Sequence, residues 1–189
     1  MTTVAYSTLL PEVLPLCPGL PQPIAINAIR NSAIDFCRET MIWQEDIDVV
    51  NEAAANFPIP FPGDTDRIVR VLYVRSGDRV LFPTSDANLN RWYRGREWRA
   101  DEGDTPTSFY HPLPETLQFY PKPSAGSYVS FTYRVAKEPL RDSTATNSLI
   151  ISDHAEDVAA GALARLMMMP SVEWSNPQLA QYYGEVFGA

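Results

Sequence analysis

The sequence predicts an α+β fold in which a helical bundle, formed by the N- and C-terminal helices, carries an inserted antiparallel β module. Three observations lead there. Residues 24–43 and 152–169 place apolar side chains at helical spacing, residues 45–135 change to the alternation of strands, and residues 177–187 return to helical spacing. The expected organisation is an N-terminal arm and first long helix over 1–44, an antiparallel β insert over 45–137, and a linker with C-terminal helices packing on the first helix over 138–189. This is one domain with an insertion.

The late helix has the clearest pattern. In SDHAEDVAAGALARLMMM, Asp153 is the expected N-cap, Glu156 its capping-box partner and Pro170 the stop. Val158, Ala162, Leu166 and Met169 make one apolar row, with Ala155, Ala159 and Leu163 beside it. Gly161 and the surrounding alanines keep the helix thin enough for another backbone to approach closely. Either a helix of the same chain or a neighbouring subunit satisfies that geometry.

Ahead of it, residues 1–23 contain five prolines and a glycine. One helical turn near Leu9 to Leu14 and then an extended arm are expected, with Leu9, Leu10, Val13, Leu14 and Leu16 packing on the body or on a neighbour. Pro23 opens a helix predicted over Ile24 to Trp43, because its missing N–H costs nothing in a first turn. Ile26, Ile29, Ala33 and Phe36 mark its apolar side, and Trp43 is expected to close it. Strands are expected at Ile47 to Val50, Arg67 to Arg75, Arg79 to Pro83, Leu117 to Pro121 and Tyr128 to Ala136. Ser76-Gly77-Asp78 makes a hairpin of the second and third. Residues 51–64 read as a proline-punctuated loop, NRWYRGREWR as a hairpin or long loop, and residues 137–151 as a polar loop. At the end, Asn176 caps and Pro177 begins a helix with Leu179, Ala180, Tyr183 and Phe187 in register.

Composition excludes several function classes. With 45% hydrophobic and 20% charged residues the 189-residue chain is an ordinary globular one. No run approaches the roughly 18 apolar residues of a membrane-spanning helix, and the start lacks the basic residues of a signal peptide, so a non-exported protein is expected. Two cysteines, Cys17 and Cys37, are too few for a disulfide scaffold and read as buried thiols. A net charge of −8 disfavours a protein that grips nucleic acid, yet suits one that lets it slide past. Phosphate-cradling and hydrolase-elbow motifs are missing, and His111 and His154 share no ligand spacing, so neither a cofactor nor a metal is expected. Glu45, Asp46 and Asp48 could supply paired carboxylates, but a solvated turn is the expected reading. No enzymatic role follows.

The most pointed local signal is Arg91, Arg94, Arg96 and Arg99 interleaved with Trp92, Tyr93 and Trp98. Such a segment suits stacking on bases or a protein interface, and the acidic chain favours an interface or an internal cation-π cluster.

Two spaced fingerprints are similar to the head-to-tail adaptors (connector, or tail tubular A type) of tailed bacteriophages. One runs through Ala28-Ile29-Arg30, Phe36-Cys37 and Trp43; the other through Gly161 to Leu166, Pro170, Trp174 and Asn176-Pro177. The β insert matches only in layout, and the chain stops shortly after Phe187 where relatives often carry a longer C-terminal helix or tail. The resemblance implies a structural virion protein of the tail neck, assembled in the host cytoplasm. It further implies a ring, usually of twelve copies, that joins the portal to tail tube, nozzle or tail-fibre proteins. Double-stranded DNA would pass through its channel without specific binding. Arg91, Trp92, Tyr93, Arg94, Arg96, Trp98, Gly161, Trp174 and Phe187 are then the expected interface residues. The rival reading is a monomeric nucleic-acid- or glycan-binding module using segment 91–99, in which Arg94 and Arg96 carry salt-sensitive binding.

Overall fold

The computed structural model describes residues 2–52, 57–58, 66–111, 116–124 and 128–188. In chain order the elements are β1 (Thr3–Ala5), α1 (Leu10–Val13), α2 (Gln22–Thr40), β2 (Gln44–Glu52), β3 (Phe57–Pro58), β4 (Asp66–Ser76) and β5 (Arg79–Pro83). There follow α3 (Asp86–Trp92), β6 (Glu102–Gly103), β7 (Ser108–Tyr110), β8 (Thr116–Tyr120), β9 (Lys122–Pro123), β10 (Tyr128–Pro139), β11 (Ala145–Asn147), α4 (Ala155–Met167) and α5 (Pro177–Phe187). The fold is mixed α+β. Two compact units divide it: one from Met1–Trp43, Pro62–Val69 and Lys137–Ala189, the other from Gln44–Phe61 and Arg70–Ala136.

The first unit is helical because its apolar residues recur at three and four. Pro23 sits in the first turn of α2, and Ala25, Ala28, Ile29, Ala33, Phe36 and Cys37 are buried along one face. That face meets α4, where Ser32 Oγ donates 2.7 Å to the Val158 carbonyl. Around them lie Val158, Ala162, Leu163, Leu166 and Met167 of α4, with Ile150 and Ile151 before it. Each fully buried aliphatic contributes roughly 1.5–3 kcal/mol. The helix α2 ends in a left-handed Met41 (φ 50°) whose N–H bonds Cys37 O, so Trp43 falls beyond the helix, buried, rather than closing it.

Three other expectations in this unit are corrected. The arm has the expected turn, at Leu10–Val13, with Leu9 and Val13 packed in the core, but further short helical turns at Tyr6–Leu9 and Leu14–Leu16 flank it where extended chain was expected beyond Leu14, and Leu16 stays exposed. The apparent polar loop 137–151 holds the end of β10, then β11 paired antiparallel with β1, then a wide turn at Leu149–Asp153. That turn displaces the expected cap: α4 starts at Ala155 behind His154, with no side-chain cap bond. At α5 the expected cap holds, Asn176 Oδ1 accepting from Leu179 N at 3.2 Å. Ala180 is buried there, but Leu179 faces out.

The second unit carries most of a seven-stranded sheet of order β2-β10-β4-β5-β7-β8-β3. The expected strands are present, with β10 antiparallel to β2 from Tyr128↔Glu52 to Ala136↔Gln44 and β4–β5 a hairpin across Gly77 (φ 58°). Phe131, Tyr133 and Val135 are buried in alternation, and Phe119 stacks on Phe131 at 4.1 Å between centroids. The insert is not purely antiparallel, however. The pairs β5–β7 and β6–β9 are parallel: α3 and the turns after it return the chain between β5 and β7, and the antiparallel pair β7–β8 returns it between β6 and β9. The loop expected over 51–64 lies largely outside the described residues; its Phe57–Pro58 pairs with β8.

Candidate functional site

The arginine-aromatic segment belongs to the second unit and is a helix followed by turns, not a hairpin or loop. Ser85 Oγ caps α3 by accepting from Asn88 N at 3.2 Å, and Gly95 turns the chain at φ 82°. Leu89, Trp98 and Tyr110 form a small buried cluster with Tyr93 and Tyr120 against it. Trp98 meets Tyr110 and Tyr120 edge-on at 5.7 and 5.9 Å, and its indole N–H donates 2.8 Å to Asn90 Oδ1. Trp98 is therefore a core residue.

The arginines divide in two. Arg99 lies 4.3 Å over the Trp98 ring and 3.4 Å from Asp86. Arg96 donates 2.8 Å to Asp101, which also accepts from the Tyr120 hydroxyl at 2.8 Å. The Tyr120 bond, with Arg96 beside it, holds the Asp101 carboxyl below its ordinary range, while burial pushes the Tyr120 phenol up. Arg91 and Arg94 have no partner among the described residues, and Trp92 is 62% exposed. Only Arg91, Trp92 and Arg94 remain available to an outside partner, with Tyr93 half-buried on Tyr120.

In the first unit Gly161 is a close-approach position. A Cβ there would lie 2.3 Å from Ser32 Oγ and 2.6 Å from the Phe187 ring, so the thinness of α4 serves α2 and α5 of its own chain. Trp174 and Phe187 are partly buried on the same core. On the other side of α5, Leu179, Tyr182 and Val186 are 41, 57 and 40% exposed at spacings of three and four. The sequence reading missed that stripe, although the spacing is visible as a second row beside Ala180, Tyr183 and Phe187. Val80 and Phe82, 51 and 72% exposed on β5, were missed as well.

The acidic group near residue 45 is spoken for by its cross-strand neighbours. Arg134 grips Asp46 with two bonds of 2.7 and 2.5 Å, and Thr132 donates 2.7 Å to Asp48. His154 lies against Phe36 and 3.3 Å from Asp157, whereas His111 packs edge-on to Phe109 in the other unit. No group of three or more potential metal ligands occurs among the described residues, and no helix among them is long and apolar enough to cross a membrane. Cys17 and Cys37 are buried and unlinked, and burial pushes the Cys37 thiol up to about 12.

Asp46, Asp48, Arg96 and Arg99 thus end on partners within the chain, while an apolar stripe and Arg91 and Arg94, unpaired among the described residues, face outward. Such a surface suits assembly. The chain matches the SU10 adaptor protein family over residues 4–188. It belongs to that family of phage head-to-tail adaptors. A comparison with proteins of curated function finds no match. The match spans both units of the adaptor and includes both fingerprints, Ala28 to Trp43 and Gly161 to Pro177. A phage adaptor is a structural component of the virion.

Proposed function

We propose that copies of this adaptor form a ring, of twelve subunits by the family resemblance, seated between the portal and the tail. Double-stranded DNA passes through its channel without being held. The observation that carries the reading is the stripe of Leu179, Tyr182 and Val186 on α5, an apolar row exposed in the single chain within a family of assembly proteins. A head-to-tail ring needs two different complementary patches on each subunit, and this stripe serves as one of them. Gly161 and Phe187 back the stripe from inside, and Trp174 lies on the same core, so these residues act on the interface through the position of α5. Arg91, Trp92 and Arg94 supply a second contact, toward tail tube, nozzle or tail-fibre proteins. The charge of −8 supports a channel that does not retain phosphate.

The deciding experiment incubates the purified adaptor with portal particles and images the product. A collar of adaptor on the portal is expected, with its loss when Tyr182 and Val186 are changed together to Ser. Failure of the wild-type chain to bind portal particles would overturn the reading. Unpartnered Arg91 and Arg94 beside an exposed Trp92 favour one rival, a monomeric module for nucleic acid or glycan. It requires salt-sensitive binding that disappears in Arg91→Ala/Arg94→Ala, because Arg96 is already committed to Asp101.

A further inference from the structure

On the helical unit a concave notch of about 200 Å³ is lined by Asn31, Ile34, Asp35, Arg38, Arg141 and Arg165. Positions 31, 34, 35 and 38 fall on one face of α2. Arg165 reaches in from α4 to pair with Asp35, and Arg141 comes from the turn after β10. Three guanidinium groups from three elements therefore surround a single carboxylate. Arg38 spends its Nε and Nη2 on Glu138, leaving Nη1 in the notch 4.0 Å from Asp35. Arg141 and the Asn31 amide are exposed and have no partner among the described residues. The floor is Ile34, 3% exposed.

The geometry points to a binding site for an acidic side chain of a neighbouring copy, its carboxylate held by Arg141, Arg38 and Asn31 and its methylenes resting on Ile34. The chain carries 23 acidic residues against 15 basic ones, so two copies brought side by side repel unless a local positive site meets an acidic projection. A heterologous contact permits that pairing, since it joins two different surfaces of the same subunit. Planar guanidinium groups match a carboxylate with two bonds. DNA suits the notch less well. Duplex binding needs phosphates neutralised along a track, whereas this is a pit with a carboxylate in its wall, on a strongly acidic chain.

The inference rests on the ring reading for its occupant, and two readouts separate them. Full-length adaptor is titrated with fluorescein-labelled hexaglutamate, and separately tested for collar formation on portal particles, as wild type, Arg141→Glu and Arg141→Lys. The expected result is salt-sensitive peptide binding by the wild type, weakened about tenfold or more in Arg141→Glu, with collar formation weakened in parallel. Arg141→Lys should retain part of both. Peptide affinity and collar formation unchanged in Arg141→Glu overturn the site. Peptide binding lost with collars intact overturns the neighbouring copy as occupant. Labelled duplex DNA is titrated alongside, and binding of it that is lost in Arg141→Glu without loss of peptide binding assigns the notch to phosphate and overturns the proposal. Should the wild type form no collar, the ring reading falls, while the peptide titration still decides the notch.

Discussion

The two units use charge in opposite ways. In the helical unit ions are taken inside: Glu138, 3% exposed, is gripped by Arg38 and Arg67, and Lys137, 5% exposed, lies 3.0 Å from Asp66 and under the Trp43 ring. In the sheet unit they stay at the surface, where Arg134–Asp46, Arg96–Asp101 and Arg99–Asp86 all have at least one well-exposed partner. A buried pair is conditional, costly to complete and far more costly to break; an exposed pair contributes little either way. The contrast teaches that, among the described residues, it is Glu138 and Lys137 of the helical unit whose burial makes a mate necessary.

The largest test breaks one buried pair. Asp66→Ala takes the 3.0 Å carboxylate partner from buried Lys137 and should lower unfolding stability by up to about 3–5 kcal/mol in urea titrations. The double change Asp66→Leu/Lys137→Met should recover most of that, because removing both charges removes the demand. Recovery below half would show that the pair contributes more than mutual neutralisation.

Next comes a packing change in the same unit. Gly161→Ala puts a methyl group against Ser32 and Phe187 and should cost about 1–3 kcal/mol of overpacking, partly offset by better helix propensity. If thermal denaturation shows a gain instead, Phe187 yields and α5 is loosely seated.

The sheet unit should respond less. Arg134→Gln leaves an exposed Asp46, so the unfolding midpoint should barely move. The pair should instead be visible in an NMR titration. The Arg134 bonds hold the Asp46 carboxyl below the ordinary carboxylate value, so its stabilisation is complete above about pH 4 and is lost as pH falls through the lowered value. Arg134→Gln should move that titration up to the ordinary range. Smallest of all, Trp92→Ala should leave stability within about 0.5 kcal/mol while weakening contact with a tail partner. Cys37 sharpens the contrast from another side: a thiol pushed up to about 12 inside the helical core should resist alkylation until the unit unfolds.

Legibility in the sequence followed how local the determining physics is. The α5 cap was readable because Asn176-Pro177 acts within three residues, and β4, β5 and β10 because alternation is a nearest-neighbour pattern. The start of α4 was not. Asp153 looks like a cap in isolation, yet the buried Ile150 and Ile151 pull 149–153 into a wider turn that moves the boundary to Ala155. The arm was legible in part: its turn at Leu10–Val13 and the packing of Leu9 and Val13 follow local spacing, whereas Tyr6 is folded inward by a bond to Ser143, far along the chain. Among the site residues, the segment 91–99 was found by composition, but composition could not say that Trp98 points in and Trp92 out. Leu179 was assigned to the wrong side of its helix, and with it the exposed stripe went unnoticed. Arg141 carries no signal at all until α2 and α4 are brought beside it.

The bond from Ser32 to Val158 spans 126 residues, with the entire sheet unit encoded between its ends. At a synthesis rate of about 5–20 residues per second, α2 emerges from the ribosome roughly 6–25 s before its packing partner exists. Throughout that interval its apolar face must remain unclaimed by other nascent chains, while the intervening strands have time to pair. The protein's vulnerable moment therefore belongs to translation, and slowing or crowding the ribosomes should reduce soluble yield far more than it alters the finished molecule.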